Sequence, residues 1–265
     1  MSPDQVPGTA DHRIRICRWS SGHADVSAPL PVLGMRWWAP IQQRGSPLGA
    51  IPGSYICWPV LHLENMLPFL AALAADPAQL TRRLTVAGTP FTIRALRADD
   101  GAALRSFLAG LSDTSRRYWH GDADPADEAT GWIDGIGRYD KLRLVAHHAD
   151  RTGHLDAVVD LSFALPPEAE PLRYAAYGLP LDPARTVRFG PCVADDWHGS
   201  GLAAALLPPT WDAVRLLERD RIVLLGGVHA DNHRARRFYR RSGFVEAGTF
   251  TTDAGVSIDM ALDLP

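Results

Sequence analysis

The residues best suited to chemistry lie in a short glycine-containing segment, 198–203, which reads His-Gly-Ser-Gly-Leu-Ala. It follows an apolar stretch that predicts a strand and precedes one that predicts a helix. Glycines let successive backbone N–H groups point into one concavity, and a helix N-terminus adds partial positive charge, so a phosphate or pyrophosphate could bind there. The residues 199–204 also satisfy the relaxed G-x-G-x-x-A dinucleotide fingerprint. A glycine turn that only joins strand to helix is the third interpretation.

A second segment, 231–244, distinguishes between these interpretations. It follows another predicted strand and has characteristic residues at Asn232, Ala235, Tyr239, Gly243 and Phe244. Together the two segments resemble the coenzyme loop (Gln/Arg-x-x-Gly-x-Gly/Ala) and the later Asn-x-x-Ala-x-x-x-Tyr-x-x-x-Gly-Phe motif of GNAT-superfamily N-acetyltransferases. The resemblance covers residues about 91–265. Segments 92–94 and 111–116 are similar to the first strand and helix of such domains, especially those of bacterial protein-lysine acetyltransferases.

This resemblance implies a GNAT fold, an α/β (α+β) architecture with a mixed twisted sheet flanked by helices, and acetyl-CoA as cosubstrate. The pyrophosphate would take backbone N–H groups of the glycine loop, and the pantetheine arm would run beside the strand 186–193 as an added strand. A splay between that strand and the strand 221–228 would admit the thioester. Pro191 marks an edge or a bulge, because proline cannot donate to a ladder; a simple edge strand is the alternative. The expected cofactor-binding residues are Cys192, Val193, His198, Gly199, Ser200, Gly201, Leu202, Ala203 and Asn232.

Tyr239 is the expected general acid. Attack of an amine on the thioester expels a thiolate, and a phenol with an ordinary pKa near ~10 can protonate it within hydrogen-bond reach. A helix tyrosine packed beside Phe238 and Phe244 is the alternative interpretation. Asn232, at the start of the same predicted helix, is expected to cap it, to bind the pantetheine amide, or both.

The general base is less well defined by the sequence. Relatives that acetylate protein lysines often carry a glutamate on the strand before the coenzyme loop, where this chain has Arg188. The remaining base candidates are Asp160, on the preceding predicted strand, and His229, at the end of the strand after the glycine-loop helix. For each of them, an ordinary polar residue at a strand end is the favoured interpretation and a base is the alternative. His198 stands where the family usually has Gln or Arg and is interpreted as a loop residue near phosphate.

The elements that position these residues follow from apolar periodicity and from Gly and Pro breakers. Strands are predicted over 91–96, 142–147, 155–163, 186–193 and 221–228, with a closing strand or hairpin over 244–262. Helices are predicted after Asp99, through Trp132, after Gly201 and over 232–242. The breaker-rich segment 166–183 predicts a substrate-facing loop. Pro208-Pro209 predicts that the helix after the glycine loop stops or kinks near Leu207.

Residues 1–90 form a separate N-terminal extension whose fold and function the sequence does not predict. Four of the eight tryptophans fall within the first sixty residues, together with many prolines. A helix, or two short ones, is predicted within 63–80. The first residues lack the apolar core of a secretory signal, and Met35 and Met66 are later candidate starts.

Composition limits the function classes. The 265 residues are 46% hydrophobic with a formal net charge of -3, as in an ordinary globular chain without the basic stripe that nucleic acid requires. No apolar stretch approaches the ~20 residues of a membrane span. Three distant cysteines fit reduced thiols, and the His147, His148 and His154 group has no zinc spacing. We therefore expect a cytoplasmic protein without a metal or a membrane partner; a homodimer is left open.

The leading functional prediction is acetyl transfer from acetyl-CoA to a primary amine by direct attack in a ternary complex. The acceptor is a small-molecule or a protein amine. One alternative is a non-catalytic acyl-CoA-binding module, suggested by Arg188 in place of an acid. A remoter one is a dinucleotide-binding oxidoreductase, which rests on 199–204 alone and leaves 232–244 without a role.

Overall fold

A computed structural model of the chain describes residues 68, 70–73, 75–119, 123–137, 140–151, 153–165 and 169–265. The tryptophan-rich segment, Cys17, Cys57, Met35 and Met66 lie outside these residues. The described strands form one mixed sheet in the order β1-β2-β3-β4-β5-β6-β9-β7, with β8 paired to β9. They are β1 (Arg82–Val86), β2 (Thr89–Ala95), β3 (Lys141–His148), β4 (Ala157–Ser162), β5 (Thr186–Val193), β6 (Arg221–Leu224), β7 (Val228–His229), β8 (Val245–Thr252) and β9 (Gly255–Asp263). Strands β5 and β6 run parallel and the other pairs antiparallel.

Helices cover both faces of this sheet. They are α1 (Gly101–Gly110), α2 (Asp113–Trp119), α3 (Pro125–Asp134), α4 (Ala169–Ala176), α5 (Leu202–Ala205), α6 (Leu207–Leu216) and α7 (His233–Arg241). Short 3-10 turns occupy Pro77–Leu80, Ala98–Asp100 and Asp195–Trp197. In the described part of the chain, no helix has the length and apolar character needed to cross a membrane.

The core consists of two apolar clusters, one on each face of the sheet. On β3, Leu144 belongs to the cluster that includes α5 and α6, whereas Val145 belongs to the cluster that includes α1 and α3. On β4, Val159 belongs to the first of these clusters and Val158 to the second. Because successive strand residues point to opposite faces, strands buried on both faces are apolar at nearly every position. This explains why the central strands are readily predicted from sequence.

Helix α1 is anchored by a buried ion pair. Arg94 on β2 binds Asp100 through two hydrogen bonds, from Nη1 to Oδ2 (2.6 Å) and from Nη2 to Oδ1 (2.7 Å). Asp100 also accepts from the backbone N–H of Arg97, at 2.8 Å. The carboxylate thus fixes the turn between strand and helix and orients α1 over the sheet.

The predicted strands and helices of 91–265 are present, with three differences. The sheet begins at Arg82, ahead of the predicted start near Phe91, because β1 pairs with β2 from Arg82 opposite Ile93 to Val86 opposite Thr89. The segment 113–119 forms an additional helix, α2. The predicted strand 221–228 is two strands, β6 and β7, separated by residues 225–227.

The prediction of a substrate-facing loop over 166–183 is wrong for 169–176, which form helix α4; residues 166–168 lie outside the described part. Tyr174 is fully buried and its hydroxyl donates to the Met260 carbonyl at 3.1 Å. Pro171 lies in the first turn of α4, where its missing N–H needs no helical partner. The prolines therefore allow a helix that composition alone argued against.

The interruption predicted at Pro208-Pro209 is confirmed. Helix α5 ends at Ala205, and α6 begins at Leu207 with the two prolines in its first turn. The break makes α5 a single turn, which ends the glycine loop before the chain packs as α6.

The separation of β6 from β7 depends on a glycine pair that offers a matched test. Gly226 and Gly227 have φ values of 71° and 72°. A Cβ at Gly227 would lie 2.9 Å from the Ile258 carbonyl oxygen, whereas at Gly226 it would meet nothing within 4 Å. Both alanine variants incur the cost of a positive φ. We expect Gly227→Ala to lower the free energy of unfolding by about 1–3 kcal/mol more than Gly226→Ala, measured by urea denaturation. Equal losses would contradict the steric contact.

Candidate active site

The candidate site opens where two parallel strands separate. Strands β5 and β6 pair from Thr186 opposite Arg221 to Phe189 opposite Leu224, and no further. On its other side β5 remains paired with β4 as far as Val193. The segment 190–193 therefore has one open edge, and the splay that the sequence predicted is present.

The backbone of this open edge is oriented by the β4 ladder. The N–H of Ala194 donates to the Asp156 carbonyl at 2.8 Å. Because hydrogen-bonded and non-hydrogen-bonded pairs alternate in an antiparallel ladder, Val193 and Pro191 direct their backbone nitrogen and oxygen away from β4. The missing N–H of Pro191 thus falls on the open side and costs no ladder bond.

The glycine loop leads from this edge into α5. Gly199 and Gly201 are exposed and have φ values of 80° and 92°, a region that glycine adopts without a steric penalty. The Ser200 hydroxyl donates to the Trp197 carbonyl at 2.7 Å and accepts from Leu202 N–H at 3.2 Å. Ser200 N–H also bonds to the Trp197 carbonyl, at 3.2 Å. Two of the N–H groups expected to face pyrophosphate are thus engaged within the loop.

His198 joins the loop to both β5 and α7. Its Nε2 lies 3.0 Å from the Val193 carbonyl oxygen and its Nδ1 lies 2.8 Å from Arg234 Nη1. A carbonyl only accepts and a guanidinium only donates, so this geometry assigns the proton to Nε2. Burial and the charge of Arg234 lower the pKa of His198, which keeps the ring neutral at neutral pH. His198 thereby holds the loop in place.

Asp195 connects the same loop to α2. Its carboxylate accepts from Ser112 N–H at 2.9 Å, Ser112 Oγ at 2.7 Å and Ser115 Oγ at 2.7 Å. Burial opposes ionisation, but these hydrogen bonds prevail and hold the pKa of Asp195 below its usual value. The first turn of α2 is therefore tied to the glycine loop.

The far end of α2 reaches the segment between β7 and α7. Arg117 Nη2 lies 2.9 Å from Asp231 Oδ2, and the Tyr118 ring centroid lies 5.5 Å from that of His229. Trp119 lies over the open edge, since a Cβ at Gly190 would be 3.7 Å from its Nε1. Helix α2 thus crosses above the place where β5 and β6 separate.

Tyr239 lies beneath this crossing, on α7. It is 8% exposed, and its ring packs against Phe238 and Phe244 at centroid distances of 5.2 and 5.4 Å. Burial, and then the nearby Cys192 thiol, raise the pKa of Tyr239, so the hydroxyl keeps its proton. Tyr239 can therefore pack against its neighbours through its ring and still donate a proton through its hydroxyl.

Asn232 caps α7. Its Oδ1 accepts from the backbone N–H of Ala235 at 3.1 Å. This is one of its two expected roles; contact with a pantetheine amide stays a prediction.

The base candidates occupy different surroundings. Asp160 is buried on β4, with Arg143 Nε at 3.4 Å and Lys141 Nζ at 3.8 Å from its carboxylate. These cations make it part of a buried charge cluster. His229 lies on β7, beside Tyr118. Arg188 faces an acid from a different element, because its Nε lies 2.7 Å from Glu170 Oε2 on α4.

Glu128 is the residue that the sequence analysis missed. It lies on α3, which begins where Asp124 Oδ1 accepts from Ala126 and Asp127 N–H. Glu128 is 3% exposed, and burial raises its pKa to about 7, with Arg143 opposing the shift and Asp160 adding to it. The detectable signal was its helical spacing to Trp132, four residues on and also buried, which places both on one face.

Comparison with known proteins identifies the fold. No protein-family model matches the sequence, and no curated protein gives a significant match. Among solved structures, the GNAT domain of S. lividans PAT is 21% identical, with a TM-score of 0.55, and the alignment covers 71% of this chain and 99% of that one. The aminoglycoside acetyltransferase AAC(6')-Ib in complex with coenzyme A is 20% identical (TM-score 0.51; 65% and 94% covered). Vibrio cholerae spermidine N-acetyltransferase in complex with CoA and spermine is 20% identical (TM-score 0.50; 65% and 95% covered). The described chain has the GNAT acetyltransferase fold.

Within the described residues, no group of three or more His, Cys, Asp or Glu side chains could hold a metal ion.

The raised pKa of Glu128 predicts a pH-dependent stability difference. A carboxyl whose pKa rises from 4.5 to about 7 on folding stabilises the fold below pH ~4.5, and this contribution is lost as the pH rises through ~7. Between pH 5 and 8 the free energy of unfolding of the wild type should therefore fall by up to about 3 kcal/mol, whereas that of Glu128→Gln should not show this fall. Urea denaturation of both proteins at the two pH values measures this. Asp127→Asn, which removes the neighbouring exposed carboxylate, should follow the wild type; parallel curves for all three would contradict the shift.

Proposed function

We propose that this chain is a GNAT-superfamily N-acetyltransferase that moves an acetyl group from acetyl-CoA to a primary amine by direct attack in a ternary complex. The observation that carries the proposal is the open edge of β5 at 190–193, with the glycine loop at its end and Tyr239 beside it. Coenzyme-bound neighbours with this fold support an acyl-CoA cosubstrate. A cytoplasmic location and a homodimer stay predictions.

The open edge accounts for how the coenzyme would bind. The pantetheine arm adds to β5 as a short strand, using the outward N–H of Val193, and Asn232 lies at the start of the nearby α7. The pyrophosphate meets the exposed glycine loop, 199–203. Because His198 engages the Val193 carbonyl, the arm either shares that oxygen with the imidazole or displaces it.

The proposed reaction forms a C–N bond and breaks a C–S bond. The amine nitrogen attacks the thioester carbonyl carbon, and the tetrahedral intermediate expels the coenzyme A thiolate. The attacking nitrogen loses one proton to solvent, and Tyr239 donates its phenolic proton to the thiolate and is reprotonated by solvent. The phenol is protonated before reaction, as a general acid must be, although its raised pKa makes it a weaker acid than an ordinary tyrosine.

The acceptor site would lie between α2, α3, α4 and the charged side chains of β3–β5, which are Lys141, Arg143, Asp160 and Arg188. The neighbours' acceptors are an aminoglycoside in one enzyme and spermine in another. The buried charge cluster of this chain contains cations as well as carboxylates, so the acceptor stays open between small-molecule and protein amines.

The two alternative functions have no specific support. A doubly wound dinucleotide-binding unit needs several parallel strands, whereas β1 to β5 of this sheet are antiparallel. A non-catalytic acyl-CoA-binding module was suggested by Arg188, which stands where relatives often carry an acid. In the structure Arg188 is paired with Glu170, and the expected proton donor, Tyr239, is still present beside the open edge.

The proposal predicts thiol release from acetyl-CoA in the presence of an amine. A panel should include a polyamine, an aminoglycoside, a free amino acid and a lysine peptide. Tyr239→Phe should lower kcat by about 100-fold or more while the Kd for coenzyme A, measured by calorimetry, stays within about twofold. Coenzyme binding without turnover on any amine would support the binding module; preferential NAD binding would support the oxidoreductase.

The glycine loop predicts a binding defect separable from a folding defect. Gly201→Ala places a side chain at φ 92°, and we expect at least about a tenfold rise in the Kd for coenzyme A, because the loop N–H groups shift. Gly255→Ala, at φ 115° in the first residue of β9 with open space around its Cβ, is the control. It should lose stability similarly and keep coenzyme affinity. Equal affinity in both variants would contradict the pyrophosphate site.

A further inference from the structure

We propose that the acceptor amine of this chain is an amino acid, and that Lys141 and Arg188 bind its carboxylate. The inference rests on the proposed function and names the class of acceptor for the same site. It is carried by the strand register beside the open edge of β5, by the N–H donors that the site leaves unused, and by the place of the chain's single lysine.

One row of paired residues leads across the sheet to the open edge. Arg143 on β3 is opposite Asp160 on β4, and Asp160 is opposite Gly190 on β5. Gly190 has no side chain, and Trp119 lies over it, since a Cβ there would be 3.7 Å from the indole Nε1. The proposed acceptor site lies on this face of the sheet, so the amine would reach the open edge beside Trp119.

The next row places two cations on either side of a small residue. Lys141 on β3 is opposite Ser162 on β4, and Ser162 is opposite Arg188 on β5. Because alternate residues of a strand share a face, Arg188 lies on the face of Gly190, about 7 Å away along β5. The backbones of β3 and β5 are about 10 Å apart across β4. Since Ser162 between them is short, both long side chains can reach one carboxylate.

The head groups of these two cations keep hydrogen-bond donors unused. Within the described residues Lys141 Nζ makes no hydrogen bond, and its nearest carboxylate oxygen, Asp160 Oδ2, lies at 3.8 Å. Arg188 Nε lies 2.7 Å from Glu170 Oε2, whereas Nη1 and Nη2 of Arg188 make no hydrogen bond to any described residue. The two side chains are 24% and 12% exposed. A small molecule can therefore reach donors that the fold itself does not use.

The carboxylates around these rows are less available to a ligand. Four of them are at most 3% exposed: Glu128, Asp160, Glu170 and Asp259. A fifth, Asp140, accepts through one oxygen from a hydroxyl at 2.9 Å and from a backbone N–H at 3.0 Å. The site thus offers a ligand N–H donors in preference to carboxylate oxygens, which suits an anionic group.

Lys141 is the only lysine of the chain, and the other 26 of its 27 Lys and Arg residues are arginine. An ammonium is a compact charge with three rotatable donors, whereas a guanidinium is a broad plane. Burial lowers the pKa of Lys141, although the charges of Asp160 and Asp140 act against this. A carboxylate bound at Nζ would offset that cost of burial, because it stabilises the charged form.

An amino acid fits this arrangement because its carboxylate lies within a few bonds of its amine. With the carboxylate at Lys141 and Arg188, the amine lies toward Gly190, where the open edge begins. A polyamine would instead bring a second cation against these two residues, and like charges at close range are unfavourable. A lysine side chain within a protein would leave the donors unused.

The first test compares each of several amino acids with its carboxamide and its decarboxylated amine. With rates expressed per concentration of neutral amine, kcat/KM of the wild type should be at least about tenfold higher for the amino acid than for the other two. Lys141→Gln should lower this ratio by about fivefold or more, and the Kd for coenzyme A should stay within about twofold. Arg151→Gln, which removes an exposed arginine between β3 and β4, should keep the wild-type ratio.

The second test detects binding without turnover. Reductive methylation with ¹³C-formaldehyde labels Lys141 as the only lysine, and the signal absent from Lys141→Gln identifies it. In the presence of coenzyme A, an amino acid should shift this methyl signal and raise the pKa of Lys141 in an NMR titration. Its carboxamide should do neither.

The outcomes separate this inference from the proposed function. Acetyl transfer that proceeds equally well without the carboxylate overturns the inference and leaves the proposed function intact, as does a ratio unchanged in Lys141→Gln. A wild type that acetylates no amine overturns the proposed function, while a carboxylate-dependent shift of the Lys141 signal would still support the anion site. Should Lys141→Gln not fold, the wild type decides: a signal that amino acid and carboxamide move equally overturns the inference.

Discussion

The structure depends on the point at which β5 and β6 stop pairing. Parallel strands in a sheet normally satisfy each other's backbone groups along their whole length, because a buried unpaired N–H or carbonyl is costly. Here the pairing ends at Phe189 and Leu224, and the chain accommodates the gap by two means. Pro191 removes a donor from the open edge, and His198 satisfies the carbonyl of Val193. The glycine loop, α2 and α7 are all arranged around this gap.

Helix α2 connects the two sides of the gap. One end is tied through Asp195 to the glycine loop, and the other through Arg117 to Asp231 before α7. The loop is itself joined to α7 by the contact between His198 and Arg234. These contacts connect the glycine loop, where coenzyme is expected to bind, to α2, which borders the expected acceptor site. A ligand that displaces a contact at one of these two sites therefore changes the other site. By linkage, any such coupling is equal in both directions.

Much of the fold is predictable because the strands β2 to β6 are apolar on both faces and the glycine and proline positions mark loops reliably. The failures have local causes. Pro171 was interpreted as a helix breaker, although it lies in a first turn where a proline is tolerated. The alternation in β1 is hidden by Arg82 and Arg83, whose side chains are exposed. Glu128 follows Asp124 and Asp127 in an acidic stretch, and only the helix register shows that it faces inward. The pairing of Arg188 with Glu170 joins residues of β5 and α4, and no local pattern could reveal it.

Pro191 has a consequence for the protein outside its proposed reaction. An open strand edge is a template onto which the strand of another chain can add, leading to non-native association. Of the residues of β5 that face the opening, Phe189 has a carbonyl that accepts from Leu225 N–H, Val193 has a carbonyl bound to His198, and Pro191 has no N–H to donate. An incoming peptide strand therefore cannot form a regular ladder there, whereas a flexible ligand with sparse amide groups needs only the groups that remain. Pro191 thus protects the chain from self-association at the strand edge that must stay open for the ligand.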